Sequence, residues 1–353
     1  MWLQQRSKKI VKRRKKKQNK KKRQRRNAIN YNVQLKKKVT YNEQIRSYCF
    51  KAPNIFSLLK NTEKTSLFFE EIINFLSNKH NYGKNLFIDL SQIEELTIDA
   101  LMYLLVLINN LDTKLRHNFK ISGNVPNSEV PRRLLNESGF RSFVKFRKQE
   151  VLNRNTNNLQ IVSGNNSDTQ IAQRISDFLL EKAGITLAES RFLYIMMIEF
   201  MSNTHKHAYN STSIFNPMWY CFAEYRVNED IIAFTFMDTG EGIPATVRKK
   251  FIEKINILKI KDEDKYVISA LEGEFRTATS LKYRGKGLPK IREFCTEKKI
   301  QEMRIITNKA DVRVNSEGYN SRLLGTSLKG TLFSWEIKLS SLKGAKANDN
   351  NNK

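Results

Sequence analysis

The chain has 353 residues and carries 63 Lys and Arg against 35 Asp and Glu, a formal net charge of +28, and that length suffices for two domains, each with a core of its own. Residues 1–38 hold 18 of the basic residues and no acid, leaving 45 basic against 35 acidic residues in 39–353. No apolar run approaches the roughly 20 residues of a membrane span, the basic start lacks the apolar core of a secretory signal, and Cys49, Cys221 and Cys295 match no C-x-x-C spacing, so a reduced, cytoplasmic protein with no transmembrane segment and no cysteine-bound metal is expected.

The first element in chain order is a charge block. Residues 6–26 contain fifteen Lys and Arg and no aromatic residue. Such a run cannot bury a core, so 1–40 is expected to be a disordered tail. It would contact a polyanion (nucleic acid, ribosome or anionic membrane) through counterion release, nonspecifically. A tail that merely keeps the protein soluble is the plainer alternative, but the basic count exceeds that need.

From 45 to 150 the pattern is that of a compact α/β unit. "LFIDLSQI" (86–93) suits a buried strand, "TIDALMYLLVLINNL" (97–111) has helical apolar spacing, "NFKISGNVP" (118–126) reads as a second strand ending in a turn, and "SEVPRRLLNESGF" (128–140) as a helix stopped by Gly139. Strand and helix alternate at lengths that suit a small sheet with helices packed on it. The stretch "IDLSQIEEL", followed by "GNVPNSEVPRRLLNESGF", resembles the STAS domains of anti-sigma-factor antagonists. In that family a serine at the turn into the helix is phosphorylated by a partner kinase; here the position falls on Asp99 and the following glycine is Ala100. The resemblance therefore implies at most a fixed negative charge at Asp99; the reading we prefer is a helix N-terminal cap, with Thr97 or Asp99 accepting from backbone N–H groups of the helix.

A polar stretch at 154–158 reads as a linker to a second unit over 159–340. "LQIVSG" (159–164) suits a strand, 167–184 and 187–209 suit helices, and 218–227 and 230–240 suit antiparallel strands joined at Asn228–Glu229. Ile232, Phe234 and Phe236 then share one face with Asp238 at the strand end. The end of the chain, 341–353, is polar and expected to be disordered.

The second of those helices raises the functional question. Leu193, Met197 and Met201 form one stripe, continued by Ala208, while Glu199, Asn203 and His207 stand at i, i+4 and i+8 on another side. A transition-metal site is disfavoured, because Asn is a poor ligand and His205 and His207 point in different directions. A solvated face does not explain why the helix is apolar at nearly every other position. Further on, "FMDTGEGIP" (236–244) puts Asp238 at a strand end before Gly240 and Gly242, where a carboxylate can accept from an exocyclic amine and the backbone can approach a flat ring. "RGKGLPKI" (284–291) sets Gly285 and Gly287 at a helix start, whose free N–H groups suit phosphate. "GTLFSWEI" (330–337) places Gly330 and Thr331 at the start of a late strand.

The four motifs in this order, E-x-x-x-N-x-x-x-H, D-x-G-x-G-I, G-x-G-L and G-T, resemble the GHKL (Bergerat-fold) superfamily of ATP-binding domains. The resemblance covers about 159–340 and implies a two-layer α/β sandwich, a mixed sheet backing helices, with ATP under a lid. It implies Glu199 as general base, Asn203 as the Mg²⁺ ligand, and Lys206, Gly285 and Gly287 at the phosphates. Asp238 would bind the adenine amine, with Gly240 and Gly242 in its loop, Gly242 leaving room for the base, and Thr331 assisting; His207 would be structural. Residues 260–285 would be the lid, with Arg276, Thr279 and Arg284 as candidate phosphate contacts. Among superfamily classes the anti-sigma-factor serine kinases are most similar, and their usual partner is a STAS domain. The expectation is thus a Mg-ATP-dependent switch with serine/threonine-kinase or ATPase activity, acting on a regulatory protein partner of STAS or sigma-factor type, with homodimerisation in view. The alternative is a noncatalytic ATP-binding module tethered to nucleic acid by its tail.

Overall fold

The computed structural model describes residues 40–145, 156–207, 214–275, 287–297 and 299–343. The chain is mixed α/β, and its described residues form a four-stranded sheet, a five-stranded sheet and a two-stranded pair. In the N-terminal unit, β1 (Thr40–Asn42) runs antiparallel to β2 (Ser47–Lys51), and β2, β4 (Asn85–Asp89) and β6 (Lys120–Gly123) are parallel, giving the order β1-β2-β4-β6. A two-stranded parallel pair, β3 (Ile55–Phe56) with β5 (Glu95–Leu96), lies beside it. Helices α1 (Thr62–Ser77) and α2 (Ile98–Asn109) connect the parallel strands, as parallel pairing requires, and α3 (Glu129–Glu137) follows β6. The helix at 128–140 ends where expected: Gly139 takes φ +85°, a conformation open chiefly to glycine.

The C-terminal unit is a five-stranded sheet in the order β10-β11-β9-β8-β7, comprising β7 (Asn158–Gly164), β8 (Trp219–Arg226), β9 (Ile231–Asp238), β10 (Glu302–Asn315) and β11 (Tyr319–Lys338). Every pairing in it is antiparallel, where a mixed sheet is expected from the superfamily resemblance. Tight hairpins explain the direction of two of these pairs, β8 with β9 and β10 with β11. Between β9 and β10 the chain runs through α6 (Ile243–Lys250), α7 (Ile252–Leu258), α8 (Glu263–Leu271) and α9 (Gly287–Thr296). The two long helices α4 (Thr169–Ala183) and α5 (Leu187–His207) precede β8.

Both faces of this sheet are covered. Trp219, Cys221, Ala223, Ile232, Phe234, Phe236, Phe333 and Trp335 enter a cluster with α4, α5 and α9. Their strand neighbours Tyr220, Phe222, Met237 and Leu332 point the other way, into a cluster with α1, α2, Phe50, Leu86 and Ile88. Alternation along a strand thus feeds two cores, and one of them is shared by both halves of the chain. The cores do not follow the boundary at 154–158. Nine consecutive residues of α2, Asp99 to Leu107, are buried, which fits a helix lying between two layers.

Polar groups tie the same junction. The Arg304 guanidinium makes two hydrogen bonds of 2.8 Å to Asp311 and one of 2.9 Å to Thr62, and it also donates to the Leu59 carbonyl. Burial alone would raise the Asp311 pKa, but Arg304 and Arg322 hold it below the usual carboxylate range. At the other end of the chain, Leu339–Lys343 forms a helical turn that packs Leu342 into the cluster with α4, α5 and α9, so structure extends past 341. Among the described residues no helix is long and apolar enough to cross a membrane.

Candidate functional site

Phe200 packs helix α5 against the sheet. Phe200 stacks on Phe333 with ring centroids 4.3 Å apart and lies 5.0 Å from Phe236. Leu193, Met197 and Met201 are buried beside it, as the stripe requires. Phe236 is two residues before Asp238, and Phe333 two after Thr331, so this packing aligns the C-terminal half of α5 with the strand ends that carry those residues. Glu199 and Asn203, one position before Phe200 and three after it, are half-buried.

The third motif arrives at the same place. A Cβ added at Gly287, the first residue of α9, would stand 2.7 Å from Glu199 Oε2 and 3.3 Å from Asn203 Nδ2. The Glu199 carboxylate occupies the space a side chain at 287 would take, so a larger residue there would have to displace it. Residues 84 and 88 positions apart in sequence thus converge at Gly287, where the described part of α9 begins.

Asp238 ends β9, paired with Thr331 on β11 and Trp219 on β8. Its Oδ1 accepts from the Gly240 amide at 2.8 Å, closing a tight turn. Burial raises its pKa to about 6, against the opposing hydrogen bonds from Gly240 and Thr331. As a whole residue Asp238 is half-buried at the strand end.

Around it the backbone is tightly locked. Gly330 has φ +95°, and a Cβ there would lie 2.1 Å from the Asp238 carbonyl oxygen. Gly242 has φ +90°, and its Cβ would meet Asn308 Oδ1 at 2.5 Å and Thr307 Oγ1 at 2.7 Å. Gly242 is expected from the resemblance to leave room for a base; instead its open side is filled by this chain's own side chains. Two residues that sequence reasoning missed are responsible. Thr307 Oγ1 accepts from the Ile243 amide and donates to the Gly330 carbonyl, at 3.1 Å each, and lies 3.3 Å from Thr331 Oγ1. Asn308 donates to the Glu241 carbonyl at 2.8 Å and accepts from the Ala245 amide at 3.3 Å. Asn308 stands at a bulge with φ +50°, a conformation that asparagine tolerates better than most residues. An asparagine interrupting the strand pattern "MRIITNKADVRV" was the available signal.

Lys206 lies within α5 by its backbone. The side chains of Lys206 and His207, together with Gly285 and the residues expected in a lid, Arg276, Thr279 and Arg284, lie outside the described residues, as does the tail over 6–26. Among the described residues no group of three or more His, Cys, Asp and Glu is placed to hold a metal ion. Cys221 and Cys295 are buried thiols whose pKa burial pushes up to about 12, far from nucleophilic readiness.

Asp99 is brought to a different place. It is fully buried at the start of α2, and its Oδ1 accepts from the Leu58 amide at 2.5 Å. Burial raises its pKa. A carboxylate enclosed this way presents no charge to a partner; it ties the β3–α1 connection to the helix start.

Comparison with known proteins adds no assignment: no protein-family model matches the chain, and none of the curated proteins is similar to it.

Proposed function

We propose that the C-terminal unit is a Mg-ATP-binding module that acts as a phosphotransferase or ATPase, and that its nucleotide state governs contacts with a protein partner. The observation that supports this most is the meeting of Glu199 and Asn203 with the first residue of α9, on a helix aligned with the strand ends of Asp238 and Thr331. The donor set suits such a ligand. Asp238, with a pKa near 6, is mostly ionised at neutral pH, and its carboxylate would accept from an exocyclic amine. In this reading the backbone amides at Gly287 and Leu288 would serve phosphate oxygens. Asn203 offers one neutral oxygen, so a hard cation would take its other ligands from phosphate and water.

Bound there, Mg-ATP would supply a transferable terminal phosphoryl group. Phosphoryl transfer asks the protein mainly for positioning and charge stabilisation. In this reading Asp238 and Thr331 hold the base, the start of α9 holds phosphate oxygens, and Asn203 fixes the cation. Glu199 orients a water or a hydroxyl and accepts its proton, a role worth about 10²–10⁴-fold in rate.

Incubation of the full chain with γ-labelled ATP and Mg²⁺, following both released phosphate and labelled protein, tests the proposal. Loss of turnover by at least about a hundredfold in both Glu199→Ala and Asn203→Ala is expected, and the label's destination separates kinase from ATPase. Turnover that survives both substitutions would remove the chemistry from this helix, and ATP bound but never turned over would leave a binding module.

A further inference from the structure

Helix α2 belongs to the N-terminal unit, yet its polar groups end on the backbone of the candidate site. Lys329 immediately precedes Gly330 and Thr331. In the β10–β11 ladder Asn308 faces Leu328 and Thr307 faces Thr331, so Lys329 and Gly330 bulge out of the pairing, and the β9 side of β11 pairs only from Thr331 onward. The backbone N–H and C=O of Lys329 therefore have no strand partner. Tyr103, 1 % exposed in the middle of α2, supplies both: its hydroxyl donates to the Lys329 carbonyl at 3.0 Å and accepts from the Lys329 amide at 3.1 Å. A phenol has one proton and free lone pairs, so one oxygen satisfies the two groups together.

The end of the same helix reaches the other half of the site. The Asn110 carbonyl accepts from the Asn216 amide at 2.7 Å, and Asn110 Oδ1 accepts from the Tyr220 hydroxyl at 3.0 Å. The Asn216 carbonyl in turn accepts from Thr239 Oγ1 at 2.8 Å, and Thr239 follows Asp238. One rigid, buried helix thus braces both strand ends that carry Asp238 and Thr331.

We infer that Tyr103 is a positioning residue for the candidate base pocket: it sets the Lys329–Thr331 backbone, and through α2 it couples the N-terminal unit to the nucleotide site. The nucleotide half of this inference rests on the function proposed above; the structural half does not. By linkage, a partner that displaces α2 must change nucleotide affinity, and nucleotide must change affinity for that partner by the same factor.

The test compares Tyr103→Phe with Phe69→Leu in the full chain. Phe69 lies 4.6 Å from the Tyr103 ring and belongs to the same core, so its truncation loosens that core without removing the hydroxyl. Hydrogen exchange without nucleotide is read at the Thr331 amide and at the Gly240 amide, the latter because it is bonded to Asp238 Oδ1. Tyr103→Phe is expected to speed exchange at both by about tenfold and to weaken ATP binding by a similar factor, with Phe69→Leu leaving both near wild type. Unchanged exchange in Tyr103→Phe, or equal effects in the two variants, would overturn the coupling. Altered exchange in a chain that binds no ATP would uphold the coupling and defeat the nucleotide reading instead.

Discussion

Helices α2 and α5 look alike in sequence, each apolar on nearly every side with a carboxylate among the apolar residues, yet the two carboxylates meet different fates. Asp99 is closed over by the loop after β3 and spends its oxygen on the Leu58 amide. Glu199 faces a glycine at the first position of α9 and stays half-buried. The element that packs against each helix decides whether its acid is closed in as a structural tie or left partly open at the candidate site. The residue one helical turn later differs too. Tyr103 stands four positions after Asp99 and is itself a buried tie to backbone, whereas Asn203 stands four after Glu199 and continues the polar line along the helix.

The sharpest way to break this comparison is to remove both acids and ask what is lost. Asp99→Ala orphans the buried Leu58 amide and is expected to lower the unfolding free energy by about 2–3 kcal/mol. Glu199→Ala should cost less than about 1 kcal/mol, as expected for a half-buried group, while removing turnover. Chemical denaturation beside the phosphate-release assay reads both quantities, and an exchange of the two profiles would refute the assignment.

A subtler intervention leaves the acid and moves its wall. Gly287→Ala puts a methyl group where the Glu199 carboxylate sits, but that carboxylate is the end of a flexible side chain and can swing away. Stability should change by no more than about 1 kcal/mol, whereas turnover should fall by about tenfold or more. Circular-dichroism melting and steady-state kinetics on the same sample check the split.

The third comparison uses pH. With a pKa near 6, Asp238 loses most of its charge between pH 7.5 and 5, so affinity for an adenine nucleotide should fall by about tenfold over that range. Asp238→Asn should flatten the profile. The same raised pKa has a fixed sign for the free protein. The folded state binds the extra proton between the ordinary aspartate value of 3.8 and about 6, so stability declines as pH rises through that window, by at most about 3 kcal/mol from this group.

The sequence patterns that proved legible are those with a single dominant period. The strands near 86–93, 118–126, 159–164, 218–227 and 230–240 and the helices near 97–111, 128–140, 167–184 and 187–209 stand within a few residues of expectation. Less legible was the second face of the C-terminal sheet. Tyr220, Phe222 and Met237 interleave with Trp219, Cys221 and Phe236, and such a run shows burial without saying that two separate layers cause it. The candidate site was legible where glycines and acids sit at fixed spacing. The contributions of Thr307, Asn308 and Tyr103 were not, because each acts through backbone contacts with residues distant in sequence. No local periodicity records such contacts.

Equilibrium binding of ATP to the full chain, with and without Mg²⁺, tests the central claim most directly when wild type is set beside Asp238→Ala and Asn203→Ala. The account predicts saturable binding, weakened by about tenfold or more in Asp238→Ala with or without metal, and by Asn203→Ala only when Mg²⁺ is present. A folded wild-type chain that binds no ATP, or binding indifferent to both substitutions, would contradict it.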